Sequence, residues 1–475
     1  MIPLSIAKIT EVASGQSFEI NPEKVISADF SIDSRAIHAG GIFVAIKGEK
    51  VDGRDFAAQA LAAGALCVLT EKQIAGPCIV VSDVIQALGE IAHYVRHQIP
   101  NLKVIGITGS QGKTTTKDLL AHVLGAAGKT HAAKGSYNND LGAPLTLLEC
   151  QSTTKFCIVE MGARHPGDIA RLTKIAEPNV GVVLKVGNAH IGEFGSRENI
   201  ARTKKELIDY LPASGIAVLG TYDEFTPHMV GTEPATQESG NANARRTLRF
   251  GERHIDDVRA ADIEFREGRA HFDLVTPAGR EPVGLRIVGT HQIANALAAA
   301  AAATALGLPI EQISAALSTA EVSSKWRMEL HDLNGLLVIN DAYNANPESM
   351  AAALRTLALL SQERGGRSWA FLGTMHELGE ESSRDHSEIG QLAENLGIDH
   401  LVSIGNSDYC RSVGSEIQTH QFQSTDDAAE MFQHFQSGDV VLVKASRAEA
   451  LERLAESALV YWRTTHIGEM GETQQ

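Results

Sequence analysis

The sequence has 475 residues, 43% hydrophobic and 21% charged, an ordinary globular composition with enough chain for about three domains of roughly 150 residues each. Its formal charge of −16 excludes a nucleic-acid protein working through a basic surface, although a small pocket of lysines and glycines can still hold an anion. Five scattered cysteines (Cys67, Cys78, Cys150, Cys157, Cys410) with no C-x-x-C pair point to reduced thiols in a cytosolic protein rather than to disulfides or a zinc site.

In chain order, the opening MIPLSIAKIT has no basic start, long apolar run or small-residue cleavage site, so no signal peptide is expected. Residues 1–100 mix short β-like runs (GGIFVAI, ALCVLT, PCIVV) with helical stretches (FAAQALAAGA, VIQALGEIAHYVRHQI), and Pro100-Asn101 then punctuates the chain. From 101 to 321, the apolar runs LKVIGIT, KFCIVEM, NVGVVLKV and GIAVLG alternate with helix-sized segments, which predicts a parallel sheet covered on both faces. Residues 221–285 are polar, with alternating pieces such as AHFDLVT, and read as an antiparallel appendage on that central unit. The run ALAAAAAATALGL (296–308) is too short to span a bilayer and reads as a buried helix. From 322 to 475, βα alternation resumes in GLLVIND, RSWAFLG, HLVSIG and DVVLVKAS, a second nucleotide-binding-like unit. The expected architecture is α/β in three domains: a small α/β N-terminal domain (1–100), a central parallel-sheet P-loop ATPase domain (101–321) and a C-terminal Rossmann-like α/β domain (322–475).

The central unit carries the chemistry. In VIGITGSQGKTTTKDLL (104–120) a strand ends at Thr108, a glycine loop follows, and Lys113-Thr114 opens a helix. Backbone N–H groups and the helix N-terminus can cradle phosphate there, Lys113 adds a point charge, and the Thr114 hydroxyl can ligate magnesium. The loop departs from the G-x-x-x-x-G-K-[ST] pattern, because Ile107 stands where the first glycine would be. Glu160 sits at the carboxyl end of KFCIVEM, where open α/β sheets bind ligands, and suits a hard cation; a helix cap or a solvated carboxylate is an equal reading. His190 follows another strand and alone reads as a loop histidine. In SRENIARTKKELIDYL (196–211) the apolar stripe is Ile200, Leu207, Ile208 and Leu211. Lys204 falls within it and Lys205 well off it. A bare ammonium in a core-facing stripe needs a partner or a modification, unless its head snorkels to water; the company of Glu160 and His190 favours a functional Lys204.

Together these stretches resemble the Mur ligase family, the ATP-dependent amide-forming enzymes of peptidoglycan precursor synthesis. That family's T-G-x-x-G-K-T loop matches Thr108 to Thr114 and accounts for the missing glycine. Further supporting stretches are DSRAIHAGGIFVAIKGEKVDGRDF (33–56), SYNNDLGAPLTLL (136–148), VEMGARHPGDI (159–169) and GNAHIGEFGSRENIARTKKEL (187–207). They continue with GTHQIANALAA (289–299), NDAYNANPESMAAAL (340–354), GTMHELGEESSRDHSEIG (373–390) and VLVKASR (441–447), so the resemblance covers essentially the whole chain.

The resemblance implies that ATP is held by Gly109, Ser110, Gln111, Gly112, Lys113, Thr114 and Thr115, with Asn295 near the adenine, Arg327 on the γ-phosphate and Asp341 on the ribose. It implies two Mg²⁺ ions, one on Thr114 and Glu160 and one on His190 and a carbamylated Lys204, and a catalytic set of Lys113, Lys204, His190 and Arg327. Ser34, Arg35, Lys47 and Arg54 would serve the UDP-sugar, and Asn344 and Asn346 would also face substrate. Arg54, Gln292 and Thr374 stand where the family commonly has His, Asn and Asp. The implied reaction joins D-alanyl-D-alanine to a UDP-N-acetylmuramoyl-tripeptide through an acyl phosphate, in a cytoplasmic monomer with no nucleic-acid partner and no membrane insertion. The alternatives are a Mur-type ligase adding the third amino acid, a folylpolyglutamate synthase, and a P-loop nucleotide switch that makes no amide. Because Arg327 and Asp341 lie beyond the central unit's last helix, they complete an ATP site only if the third unit folds over the second.

Overall fold

The protein, described as a computed structural model over residues 1–26, 28–48, 50–133, 135–189, 191–230, 246–321 and 324–467, builds three large sheets and a two-stranded ribbon. The first sheet has the strand order 16–18, 78–80, 67–70, 42–44, 30–31 and is parallel except for its first strand. Helix α1 (Val84–His97) follows, capped by the Asp83 side chain, which accepts from Gln86 N. Its buried face of Val84, Leu88, Ile91 and Val95 belongs to one hydrophobic cluster with residues of both the first sheet and the central sheet. The N-terminal and central units are therefore joined by shared apolar packing rather than by a bare linker.

The central sheet has nine strands. Third from one edge is β1 (Lys103–Thr108), which leads into α2 (Lys113–Gly125), then β2 (Phe156–Glu160), α3 (Asp168–Ala176), β3 (Val180–Val183) and α4 (Arg197–Asp209). The spatial order is β3-β1-β2, all parallel. These strands read as unbroken apolar runs because helices cover both faces. Glu206 on α4 accepts from the backbone N of Gly167 and Ala170, tying α4 to the start of α3.

The expected antiparallel appendage on the central unit is an extension of the central sheet itself, over the described residues 247–288. Thr247–Gly251 continues the central sheet in parallel beside Ile216–Gly220, and only Val258–Val288 turns antiparallel, still within that sheet. Its alternating pattern signalled one solvated face, which is compatible with either arrangement. The alanine-rich run is α5 (Gln292–Ala305), with Ala296 to Ala303 fully buried. Small side chains let this helix lie close against α2 and the strands beneath.

The third sheet has six strands. Glu329–Leu333 is antiparallel to β4 (Leu336–Asn340), and the rest are parallel. β4 is followed by α6 (Pro347–Arg364) and pairs with β5 (Val440–Lys444). Asn346 and Ser349 cap α6 reciprocally, and Gly365 closes it at φ 68°. Among the described residues, no helix is long and apolar enough to cross a membrane.

The packing of α5 has a direct consequence. Ala300→Leu puts three extra carbons where no space exists and is expected to lower unfolding free energy by about 1–3 kcal/mol. Urea denaturation reads this as a lower midpoint at unchanged slope.

Candidate active site

Because β1 pairs in parallel with β2 on one side and β3 on the other, all three carboxyl ends meet at one edge, where the loop 109–112 turns into α2. Gly112 takes φ 80°, and a Cβ there would lie 2.2 Å from Asn295 Oδ1, so both its backbone and its surroundings demand glycine. Asn295 is itself held by Gln292, whose Oε1 accepts from Asn295 Nδ2 at 2.8 Å. The position where the family commonly has Asn thus supports the loop through a longer amide. No side chain caps the N-terminus of α2, which leaves its first amides for an anion. Lys113 Nζ donates to Gly109 O at 2.7 Å, across its own loop. Burial lowers its pKa, Glu160 opposes that, and Arg327 adds to it.

Glu160, 1% exposed, accepts from Thr114 Oγ1 at 2.9 Å and from Asn138 Nδ2 at 2.8 Å. Thr114 Oγ1 lies 3.0 Å from Ser136 Oγ, which also accepts from Arg327 Nη2 at 2.8 Å. Among the described residues, no cation forms an ion pair with Glu160. A buried carboxylate with no ion pair, beside the Thr114 and Ser136 hydroxyls, is a donor set that fits Mg²⁺.

Lys204 is buried on α4, in line with Ile200, Leu207 and Ile208. Burial, reinforced by the neighbouring charge of Lys113, lowers its pKa to about 7. Lys205 instead pairs with Asp209 on the exposed face. His190 lies outside the described residues.

The third unit supplies the opposite wall. The Arg327 guanidinium sits 3.9 Å over the Tyr343 ring, and its Nε is buried without a hydrogen-bond partner. Asp341 Oδ1 accepts from Met328 N at 3.1 Å, and its Oδ2 pairs with Lys444 at 2.6 Å. Lys444, at the end of β5, also donates to Asn344 O at 2.8 Å and so fixes the whole 341–344 turn. Asn346 Oδ1 accepts from Ser349 N as the cap of α6 and from Gln111 Nε2 of the phosphate loop at 3.1 Å. Gln111 also donates to Glu348 Oε2, while Glu348 Oε1 accepts from Asn188 N at 2.7 Å. The third unit therefore already touches the loop.

These groups line one cleft of about 930 Å³ that includes Gly109 to Thr115, Glu160, Lys204, Asn295, Arg327, Asp341, Asn344 and Asn346. Ser34, Arg35, Lys47 and Arg54 are not among its lining residues. Ser34 Oγ bonds Gln59, Arg35 grips Asp33 with two nitrogens at 2.9 Å, and Arg54 is engaged by Asp52. Those arginines hold the Asp33 and Asp52 carboxyls at about 2. Among the lining residues without an assigned role in the sequence reading, four are notable. Ser136 and Asn138 lie in a polar run past a strand end, and Lys444 ends the apolar run VVLVK. The fourth, His291, is half-buried with a buried, unpartnered Nδ1, and desolvation lowers its pKa to about 4; only its place beside Gln292 hinted at it.

A test of Lys204 follows from proton linkage. An unfolded lysine holds its proton up to about 10.5, whereas folded Lys204 releases it near 7. Between those values the unfolded chain binds the extra proton, so this group makes stability rise with pH. Lys204→Met removes the penalty and is expected to stabilise most at and below pH 7. Its advantage should shrink as pH rises, as read from urea midpoints between about pH 6 and about pH 9.

Residues 30–109 match the profile of the Mur ligase family, catalytic domain, residues 107–303 the Mur ligase middle domain, and residues 326–447 the Mur ligase, glutamate ligase domain. A Mycobacterium bovis protein named UDP-N-acetylmuramoyl-tripeptide–D-alanyl-D-alanine ligase is 39% identical, over 96% of this chain and 98% of that one. The fold matches a MurF crystal structure from Acinetobacter baumannii with a TM-score of 0.86 at 33% identity, over 96% of this chain and 99% of that one. It matches the MurF ligase of Thermotoga maritima in complex with ADP with a TM-score of 0.78 at 29% identity, over 92% and 98% of the two chains. With likeness of sequence and fold running from end to end, the chain belongs to the Mur ligase family.

Proposed function

We propose that the chain uses ATP to join the amino group of D-alanyl-D-alanine to the terminal carboxylate of a UDP-N-acetylmuramoyl-tripeptide, a step of peptidoglycan precursor synthesis. One observation carries this reading. A phosphate loop, the buried Glu160 and the unpartnered Nε of Arg327 face one cleft, in a chain similar throughout to ligases named for that reaction.

A carboxylate is a poor acylating agent, so the γ-phosphoryl group of ATP is first transferred to it, giving an acyl phosphate and ADP. The amine then attacks the acyl carbon, passes through a tetrahedral intermediate and expels phosphate. The amides of Gly109 to Thr115 and the Lys113 ammonium hold the phosphates, Lys113 exchanging its contact with Gly109 O for a phosphate oxygen. Arg327 turns its free Nε to the γ-phosphate, where charge spreads during transfer. Asp341, fixed by Lys444, takes the ribose hydroxyls, and Asn295 lies toward the adenine. Thr114 and Glu160 would hold one Mg²⁺, and His190 and a carbamylated Lys204 a second. When bound, these ions neutralise charge on the transferring group. The neutral Lys204 amine favoured by burial is the form that adds CO₂ to give a carbamate.

The domain roles follow: UDP-sugar binding in 1–100 through Ser34, Arg35, Lys47 and Arg54, ATP binding in 101–321, and the amino substrate with ATP closure in 322–475, where Asn344 and Asn346 face the dipeptide. Five free cysteines together with ATP and a UDP-linked substrate support work in the cytoplasm.

Phosphate release from ATP should require both the UDP-muramoyl tripeptide and D-alanyl-D-alanine. Release with a single amino acid in place of the dipeptide would reassign the reaction to another step of the family. Lys113→Ala should cost at least about a hundredfold in kcat with the thermal midpoint preserved. Lys204→Ala should lose activity and regain part of it with formate or acetate, which refill the site with a carboxylate, whereas Lys205→Ala should leave turnover near that of the unaltered protein. Equal behaviour of the two lysine variants would remove the carbamate.

A further inference from the structure

Outside the cleft, α1 and the end of α3 bring together two imidazoles and a carboxylate that the reaction does not use. His93 and His97 are one helical turn apart on α1 and face the same way, with ring centroids 4.6 Å apart at 72°. Glu177, which ends α3, lies opposite them: its Oε1 is 3.8 Å from His93 Nε2 and its Oε2 is 3.2 Å from His97 Nε2. The three ligand atoms lie within 4.8 Å of one another, and none of these residues lines the active-site cleft.

We propose that His93, His97 and Glu177 form a Zn²⁺-class transition-metal site that clamps α1 to the end of α3. Two imidazoles and one carboxylate, with a fourth position left to water, is a known zinc ligand set, and imidazole donors select such metals over Mg²⁺. A tetrahedral ion with bonds of about 2.0–2.1 Å spaces its ligand atoms roughly 3.4 Å apart. The histidine–glutamate spacings, one to each carboxylate oxygen, are 3.8 and 3.2 Å, so small rotations of these exposed side chains bring the three donors to that spacing. Side-chain exposures of 39%, 50% and 39% leave the groups free to adjust and admit the water.

The surroundings hold the donors in the right form. His93 Nδ1 is 3.1 Å from Ile175 O. A carbonyl only accepts, so Nδ1 carries the proton and the Nε2 lone pair is presented toward Glu177, the outer hydrogen bond that metal-bound histidines usually make. Arg96, between the two histidines in sequence, does not take the carboxylate. Its Nε donates to Ala176 O and its Nη2 to Glu177 O and Asn179 Oδ1. Glu177 stands at φ 40°, a helix-ending position that glycine or asparagine fills at lower cost, and from there its carboxylate reaches α1. Since α1 joins the first sheet to the central one, an ion at this point would tie the N-terminal unit to the ATP-binding unit and close a long loop of chain.

The test uses the full chain after chelator treatment, without nucleotide. Zn²⁺ is titrated by calorimetry, Co²⁺ by visible absorption, and thermal midpoints are compared with and without Zn²⁺. The expected result is a saturable Zn²⁺ equivalent, intense tetrahedral Co²⁺ bands and a raised midpoint that Mg²⁺ does not reproduce. His97→Ala and the isosteric Glu177→Gln should each weaken that equivalent at least about tenfold and abolish the thermal shift, while the surface change His254→Ala leaves both intact. Circular dichroism checks that the variants fold, and should His97→Ala fail to fold, Glu177→Gln alone decides. Absence of saturable Zn²⁺ binding, binding that survives in Glu177→Gln, or an equal shift with Mg²⁺ would overturn the site and leave a histidine–glutamate ion pair.

Discussion

The parallel pairing of β1 with both β2 and β3 is the constraint on which the molecule depends. It brings three strand ends to one edge, so the turn after β1, the acid that ends β2 and the helix that follows β3 must share a small volume. Everything else in the central unit keeps that edge in shape. Asn295 lies so close to the loop that only a residue without a Cβ fits at Gly112, Asn295 is held by Gln292, and both amides sit on the helix whose alanines allow it to approach α2.

The contact between the second and third units follows the same logic. The capping residue of α6, Asn346, is also a partner of Gln111, and the next carboxylate, Glu348, receives both Gln111 and the backbone of Asn188. One helix start therefore reads the position of the phosphate loop. An α-helix N-terminus needs acceptors for its first amides, and here the groups that satisfy that need are shared across the cleft. A loop displaced by a ligand must re-form or release these bonds, so the placement of the third unit and the occupancy of the loop are coupled through hydrogen bonds rather than through apolar area.

Much of this was legible in the sequence because it rests on local rules. A strand, a glycine turn and Lys-Thr opening a helix have only one common geometry, and the stripe of Ile200, Leu207, Ile208 and Leu211 placed Lys204 inward and Lys205 outward, as the structure has them. What could not be read depends on contacts between distant segments. The close approach of Asn295 to Gly112 crosses 183 positions of sequence, and the pairing of Lys444 with Asp341 crosses 103. The stretch from 221 to 285 reads as antiparallel and attached to the central unit, but its parallel start at Thr247–Gly251 was not legible, because alternation reports one wet face and says nothing of strand direction. In the N-terminal unit, Arg35 and Arg54 are each paired with an Asp two positions earlier.

The charges of the cleft explain why its lysines behave differently. Lys444 is buried but faces the Asp341 carboxylate and two carbonyl oxygens, a full set of acceptors for an ammonium. Lys204 has burial and the like charge of Lys113 acting on it, and both disfavour its proton. Lys113 in turn is disfavoured by burial and by Arg327, with Glu160 alone opposing them. Lys113 and Arg327 act on each other and on Glu160 in the cleft, and cations grouped this way attract an anionic phosphate chain. Conversion of Lys204 to a carbamate, as proposed above, would place an anion near Lys113. The field at Lys113 would then favour its protonated form, the form the phosphate requires. The same step that creates an oxygen ligand for a metal would thus also hold the loop lysine charged, and the two roles would rise and fall together.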